Sequence, residues 1–200
     1  MARRSDHSRQ ELCGLALAAA RRVVEKEGLQ GLTARSVADE IGYSPGTLYN
    51  LFENLDDLIV NMNGQTLDDL YEQLSSTPSS GQPMIDLRRL LDRYLAFLEA
   101  YPNRWKAFFE FNLAEGRQLP DWYVAKVSKV LGLLEHALSP LFAPEDDDGK
   151  RNMARVLWAS LHGICSLSDT GKLRVVTTQS VREMAEALVT HFVAGLAAQR

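Results

Sequence analysis

The sequence lacks the features that mark secreted and membrane-spanning proteins. Its two cysteines, Cys13 and Cys165, lie far apart in a chain of 200 residues, which suits a reduced intracellular protein better than a disulfide scaffold. No apolar run approaches the roughly 20 residues that a membrane span needs, and residues 1–10 contain no secretory hydrophobic stretch. We therefore expect a soluble cytoplasmic protein with no membrane partner.

The sequence also lacks an excess of positive charge. Its formal net charge is −4, and residues 1–60 hold seven basic residues against nine acidic ones. Composition alone therefore gives no sign of nucleic-acid binding, which has to be argued from local geometry. Because 46% of the residues are hydrophobic, the chain can bury a core, either in one large domain or in a small domain fused to a larger one.

Apolar residues recur at three- and four-residue spacing along most of the chain, and this spacing predicts an all-α fold. We predict about nine helices, over residues 10–27, 33–41, from 45 to about 52, 56–74, 84–100, 103–115, 120–138, 150–168 and 180–198. Ser180 is predicted to cap the last of them. Residues 173–177 alternate like a short strand but are predicted to form a loop. The acidic run at 145–148 is also predicted to be a solvated loop.

Two of the short helices form a recognisable unit. Thr33 is a good N-cap for a helix that ends at Ile41, because its hydroxyl can accept a hydrogen bond from a backbone N–H of the first turn. Gly42 supplies the turn, Ser44 is the next N-cap, and Pro45 takes the first helical position, where it needs no N–H. Two short helices joined in this way predict a helix-turn-helix, whose second helix can enter a DNA major groove.

The segment from residue 28 to residue 59 resembles the N-terminal domain of TetR/AcrR-type transcriptional regulators. The matching positions are Gly28, Thr33, Val37, Ala38, Gly42, Gly46, Thr47, Leu48, Tyr49, Phe52 and Leu58. The resemblance implies a DNA-binding domain over residues 1–55 and a ligand-binding and dimerisation domain over residues 56–200. The chain departs from the family pattern at Leu51 and Leu55, where relatives usually carry a polar residue and a lysine.

The same resemblance implies which residues contact DNA. Hydroxyl groups would reach phosphates, Arg35 would reach a base edge or a phosphate, and two small residues would lie closest to the groove floor. The hydroxyl residues are Thr33, Ser44, Thr47 and Tyr49, and the two small residues are Pro45 and Gly46. The alternative is that Thr33 and Ser44 only cap helices and that Tyr49 only packs.

Two sets of residues could bind a small molecule. The first is an aromatic group with one acid, Trp105, Phe108, Phe109, Glu110, Trp122 and Tyr123, which could line a pocket between helices or simply form core. The second is Trp158 and His162, which share a helix face and resemble a Trp-x-x-x-His-Gly motif of one subgroup of these regulators. Because the histidines are scattered, we expect no metal site, and no cofactor is indicated.

The sequence as a whole favours a homodimeric, ligand-responsive transcriptional regulator. We expect a repressor that binds a palindromic double-stranded operator and is released by a small apolar or aromatic effector. Helices 150–168 and 180–198 are the expected dimer interface. No enzyme is expected, since phosphate loops and nucleophile elbows are missing. Two alternatives remain: a helical small-molecule-binding protein of the same fold that has lost DNA binding, and an enzyme that works in the aromatic pocket.

Overall fold

A computed structural model describes residues 7–76, 78–113 and 116–198, and these residues contain helices and no β-strand. The ten helices are α1 (Arg9–Glu27), α2 (Ala34–Ile41), α3 (Pro45–Leu51), α4 (Leu55–Ser75), α5 (Pro83–Ala100), α6 (Pro102–Glu110), α7 (Asp121–Leu138), α8 (Asp147–Asp169), α9 (Leu173–Val176) and α10 (Val181–Ala197). The all-α prediction is confirmed. Nine of the helices have seven residues or more, and these correspond to the nine predicted ones.

Three segments differ from their predicted secondary structure. Helix α6 ends at Glu110, because Phe111 adopts an extended conformation; the last two residues of the predicted helix, 114 and 115, lie outside the described residues. Only the first half of the acidic run is a loop: Asp147 and Asp148 begin α8, which Asp146 caps by accepting a 2.9 Å bond from the Gly149 amide, and carboxylates suit a helix N-terminus. Residues 173–176 form the single turn α9 in place of the predicted loop, anchored by Leu173, which is buried.

The chain divides into two compact units. The first contains Met1–Asp69 and Leu98–Lys126, and the second contains Leu70–Phe97 and Val127–Arg200. Helices α4, α5 and α7 each contribute residues to both units. The predicted functional boundary between residues 55 and 56 stays a prediction.

The core of the first unit is built on small residues of α1. Ala16, Ala19 and Ala20 are fully buried, and their size lets α1 lie close to α2 and α3. Larger side chains complete this core, including Val37, Leu48, Phe52, Leu58 and Met62. The helix-turn-helix is therefore held by a core that α1 and the first half of α4 share with it, because two short helices alone bury too little surface to be stable.

An ion-pair network also joins the helices of this unit. Arg104 on α6 is almost completely buried, with its Nε 2.9 Å from a Glu25 carboxylate oxygen on α1 and its Nη1 3.0 Å from an Asp69 oxygen on α4. The guanidinium also lies over the Tyr101 ring, 3.6 Å from its centroid. Arg21 on α1 pairs with the same Asp69. This arrangement fixes α1, α4 and α6 to one another through charge.

Helices α8 and α10 pack together in the second unit. Their buried positions follow the helical repeat, with Ala154, Leu157 and Leu161 on α8, and Ala185, Val189 and Val193 on α10. Ser180 caps α10 by accepting from the Glu183 amide, while the Glu183 carboxylate accepts from the Ser180 amide. The predicted cap at Ser180 is confirmed.

Candidate functional site

The first candidate site is the exposed side of α2 and α3, and its geometry begins with the Thr33 cap. The Thr33 hydroxyl accepts a 2.9 Å bond from the Ser36 amide, and the Ser36 hydroxyl accepts a 2.9 Å bond from the Thr33 amide. The predicted capping role of Thr33 is confirmed. Thr33 is also exposed. Its capping bonds therefore leave the N-terminus of α2 accessible to a phosphate.

The turn between the two helices presents hydroxyl groups at the start of α3. Gly42 has φ +74°, the left-handed conformation that the turn needs and that a side chain would strain. Ser44 occupies the N-cap position of α3 as predicted, but its hydroxyl makes no capping bond and lies 3.2 Å from the Thr47 hydroxyl instead. The Ser44 hydroxyl is therefore not tied to the α3 backbone.

Gly46, in the first turn of α3, is not required by the fold. Its φ is not positive, and a Cβ added there would meet only the Ser44 hydroxyl oxygen, at an ordinary 3.7 Å. Glycine weakens a helix relative to alanine, so its presence here has no explanation within the chain. Without a side chain at this exposed position, the α3 backbone is open to close approach from outside the protein.

The exposed face of α3 carries polar groups suited to DNA. The Tyr49 ring is 57% exposed, so the alternative in which it only packs is not supported. Asn50 is also exposed and lies one turn from Gly46; an amide of this kind can pair with an adenine edge. Sequence reasoning missed Asn50, although its spacing of four from Gly46 would have placed it on the same face.

Arg35 is the cation nearest in sequence to these groups. Its side chain is 85% exposed, and its nearest carboxylate, on Asp39, lies 3.9 Å away. By contrast, Arg22 pairs with Glu40 at 2.9 Å. Exposed ion pairs of this kind contribute little, so Arg35 keeps the freedom to reach a phosphate or a base.

Leu51 and Leu55, the two departures from the family pattern, pack against the core of the first unit. Both are partly buried, so they add apolar contact to the helix-turn-helix where relatives offer polar groups. Neither leucine offers a group for phosphate contact, since each such contact needs a donor or a cation.

The turn residue Tyr43 is held by a residue that precedes α1. Its hydroxyl lies 2.9 Å from Nδ1 of His7. The basic residues Arg3 and Arg4 lie outside the described residues. The His7 contact nevertheless fixes the start of the described chain beside the turn of the helix-turn-helix.

The predicted aromatic residues come together in the first unit. Trp105 stacks on Phe108 at 5.6 Å between ring centroids and meets Phe109 edge-on at 4.8 Å. Phe108 stacks in turn on Tyr123 at 6.2 Å, and Tyr123 contacts Trp122. Burial raises the pKa of Tyr123 to about 12, so its phenol stays protonated. Glu110 is exposed and pairs with Lys106. These residues form a packed cluster, and their role in ligand binding stays a prediction.

A buried amide in the same unit, that of Asn63, could not be predicted from the sequence pattern. Asn63 on α4 is fully buried, and neither its Nδ2 nor its Oδ1 has a hydrogen-bond partner among the described residues. Buried amides are almost always paired. Asn63 therefore places an unpaired amide inside the core of the first unit.

The second candidate site is an apolar cavity within the second unit. Helices α4, α5, α7, α8 and α10 all contribute to its wall, with residues such as Leu70, Leu91, Val130, Leu157, Trp158 and Val189. The cavity volume is about 40 Å³, whereas pockets for drug-sized ligands measure roughly 300–1,000 Å³. A ligand larger than a few atoms can therefore enter only if the lining side chains or the helices that carry them move.

Trp158 links this cavity to the predicted motif. Its ring stacks on His162, with centroids 5.6 Å apart and planes within 8° of parallel. Burial lowers the pKa of His162 while Asp169 opposes the shift, so the imidazole is predominantly neutral at pH 7. Burial, and to a lesser extent the charge of Asp169, raise the pKa of Cys165 to about 11, although a hydrogen bond with Tyr94 acts in the opposite direction. Cys165 is therefore an unreactive thiol.

The described residues show no metal or membrane feature. No group of three or more His, Cys, Asp or Glu side chains in residues 7–76, 78–113 and 116–198 could hold a metal ion. No helix in the same part of the chain is long and apolar enough to cross a membrane.

Two family profiles match the chain. Residues 16–62 match the profile of bacterial regulatory proteins of the tetR family, and residues 87–192 match the profile of the tetracyclin repressor-like C-terminal domain. An uncharacterised HTH-type transcriptional regulator of Mycobacterium tuberculosis is 24% identical over 163 residues, which cover 79% of this chain and 70% of the relative.

Solved structures share the fold over nearly the whole chain. A protein of unknown function from Rhodococcus sp. RHA1 has a TM-score of 0.74 and 22% identity, with 98% of this chain and 100% of that chain covered. The transcriptional regulator FadR of Bacillus subtilis, in complex with stearoyl-CoA, has a TM-score of 0.66 and 14% identity, with 91% of this chain and 98% of that chain covered.

Proposed function

Because the chain belongs to the tetR family of bacterial regulatory proteins, we propose that it is a homodimeric repressor that an apolar small molecule releases from DNA. The observation that carries the proposal is the exposed face of α3. It combines Gly46, which the fold does not require, with the exposed Tyr49. The exposed Arg35 lies on the helix before it. Such a surface suits close approach to a major groove.

Thr33, Ser44, Thr47 and Tyr49 are proposed to contact phosphates through their hydroxyl groups, with Arg35 reaching a phosphate or a base edge. Pro45 and Gly46 would lie nearest the groove floor. Asn50 is added as a base-reading candidate because its exposed amide shares that face. Since phosphate contacts govern the salt dependence of binding, the core positions of Leu51 and Leu55 favour an operator affinity that depends mainly on these few groups.

A dimer is proposed because two equivalent half-sites, about 34–36 Å apart, require two recognition helices held by symmetry. The outer faces of α8 and α10 support this interface. Val156 and Leu167 on α8 are 47% and 37% exposed, and α10 exposes a run of small or uncharged residues at Ala187, His191, Ala194 and Gly195. Gly163 on α8 also has open space where a Cβ would project, which would let a second backbone lie close.

The effector is proposed to bind in the apolar cavity beside Trp158 and His162, whose stacking supports membership of the subgroup with the Trp-x-x-x-His-Gly motif. Because the cavity is small, a ligand must favour a state in which the surrounding helices have separated. Helix α4, which contributes to both units, is proposed to carry that change to the helix-turn-helix and to alter the spacing of the recognition helices. By linkage, effector and DNA then weaken each other's binding by the same factor.

Two further predicted assignments remain as proposals. The group of Trp105, Phe108, Phe109, Glu110, Trp122 and Tyr123 is a second place where an effector could bind, supported by the stacking of its rings. No catalytic role is proposed for any residue, because family members are transcriptional regulators and no catalytic arrangement is indicated.

The test is binding of the purified protein to duplex fragments from the region around its own gene, measured by fluorescence anisotropy at several salt concentrations. We expect salt-sensitive binding that Arg35→Ala and Tyr49→Ala each weaken about tenfold, or about 1.4 kcal/mol. Lys106→Ala, an exposed change on α6 outside the α2–α3 face, is the matched control and should bind like the wild type. If the folded wild type binds no fragment even at low salt, the alternative is favoured: a ligand-binding protein of this fold that has lost DNA binding.

A further inference from the structure

A polar cleft adjoins the apolar cavity in the second unit. Leu74 on α4, Leu90 on α5 and Leu133 on α7 line both spaces, so each of three helices contributes one leucine to the boundary between them. The cleft has a volume of about 240 Å³, and it opens beside the loop that joins α4 to α5. The two spaces therefore lie side by side, one apolar and one polar, with these leucines between them.

The charged groups of this cleft are two arginines and one carboxylate, with a histidine at its edge. Arg89 and Arg93 line it from α5, His136 lines it from α7, and Asp86 lies at the start of α5. With the histidine neutral, the formal charge of these side chains is +1. The cleft thus has a positive balance, although the protein as a whole is acidic.

The single carboxylate is engaged by its own loop. Asp86 accepts bonds from the Ser79 hydroxyl at 2.6 Å and from the Ser80 hydroxyl and amide at 2.7 and 2.8 Å. The Gly81 amide donates to it as well, at 3.1 Å. Burial raises the pKa of Asp86, but these hydrogen bonds outweigh burial and lower the pKa to about 2. Asp86 therefore stays ionised and organises the loop at the mouth of the cleft.

Of the two arginines, Arg89 is the more available to a ligand. Nη1 of Arg93 donates to the Gln73 carbonyl at 2.6 Å and to the Ser76 hydroxyl, so Arg93 helps to fix the end of α4. Arg89 is 48% exposed, and its Nη1 lies 3.9 Å from the Asp86 carboxylate, beyond hydrogen-bond distance. A guanidinium in this position can bind an acidic group through two parallel hydrogen bonds.

We propose that the effector is an amphipathic anion, whose apolar chain enters the cavity beside Trp158 and whose acidic head group binds Arg89 in the cleft. This inference rests on the proposed regulatory function and names the ligand class for the same site. An apolar chain alone would make no use of the arginine in the adjoining cleft. An acid without an apolar chain would gain nothing from the leucine-lined cavity, because burial of apolar surface drives binding in proportion to its area.

The test compares acids with alcohols of the same chain length. Octanoic, dodecanoic and hexadecanoic acids and the three matching alcohols are titrated into the purified protein, and binding is followed by calorimetry. At least one acid should bind about tenfold more tightly than its alcohol. Arg89→Gln should remove that preference by weakening the acid about tenfold while leaving the alcohol unchanged, because a charge-assisted hydrogen bond is lost.

Arg88→Gln is the matched control. Arg88 is the preceding residue on α5, but its Nη2 contacts the Thr190 hydroxyl at 3.4 Å on α10, and it does not line the cleft. Arg88→Gln should therefore keep the preference for the acid. Equal weakening by both substitutions would overturn the proposal, as would equal affinity of acid and alcohol or binding of neither. Operator binding by the same preparations is measured in parallel, because it tests the regulatory function separately from the ligand class.

Discussion

Replacing Gly46 by alanine should stabilise the fold and damage DNA binding at once. The added Cβ would lie 3.7 Å from its nearest neighbour, the Ser44 hydroxyl oxygen, and the backbone needs no left-handed conformation there. Alanine favours helix over glycine by up to about 1 kcal/mol in a helix interior. Because Gly46 lies in the first turn, we expect a gain of about 0.5 kcal/mol, equivalent to about 1–2 °C in Tm for a chain of this length.

The cost of the same substitution should appear in operator binding. If the α3 backbone lies against the groove, the new methyl group must displace it, and we expect about tenfold weaker binding, or about 1.4 kcal/mol. Thermal unfolding and fluorescence anisotropy are measured on the same preparations. Gly132→Ala is the matched control, since a Cβ added there, in the middle of α7, would meet nothing within 4 Å, and it should stabilise the protein without changing operator affinity.

Two results would refute this reasoning. If Gly46→Ala binds the operator as tightly as the wild type, α3 does not approach DNA closely and the glycine carries no functional meaning. If Gly46→Ala unfolds more easily than the wild type, the space around position 46 is not open, and its glycine is structural after all.

Three further predictions concern the charges and the core. Leu55→Lys should make the negative slope of log affinity against log salt steeper by about 0.9, measured by anisotropy, because the lysine stem can keep the apolar contact of Leu55 while its ammonium reaches a phosphate; an unchanged slope would contradict this. Arg104→Gln should lower the free energy of unfolding by about 2 kcal/mol in urea, since it removes the buried cation that pairs with Glu25 and leaves Asp69 with Arg21 alone; a loss below about 0.5 kcal/mol, as for an exposed ion pair, would contradict it. The pKa of Asp86 lies at about 2, below the ordinary 3.8, so its charge stabilises the fold fully at neutral pH and progressively less as the pH falls through about 2. Asp86→Asn should therefore cost about 2 kcal/mol at pH 7 and roughly half of that at pH 3; an equal cost at both pH values would be inconsistent with the low pKa.

The helical fold could be predicted from the sequence because its signals are local. Apolar spacing and capping residues such as Thr33 and Ser180 depend on neighbours a few residues away, and both caps form as expected. The errors arose where local signals conflict. The β-branched run at 175–178 obscured a single helical turn, and the acids at 146–148 were interpreted by their charge alone, although carboxylates also favour a helix N-terminus.

The candidate sites depend more on tertiary structure. The aromatic residues could be predicted to gather, because they lie close in sequence and share helix faces. The apolar cavity could not, because its wall is mostly leucine and valine, which look like any other core residues. The burial of Asn63 and the exposure of Arg89 depend on which helices pack around them. Local sequence patterns do not predict that packing.

The central claim is that a symmetric dimer of this chain reads DNA through α3, and selection of binding sites from a random pool of duplexes tests it most directly. After several rounds with the purified protein, we predict enrichment of one palindromic sequence with half-sites about one helical turn apart. The same selection with Tyr49→Ala should enrich it weakly or not at all. A pool that stays random with the wild type, or an enriched sequence without two-fold symmetry, would contradict the account.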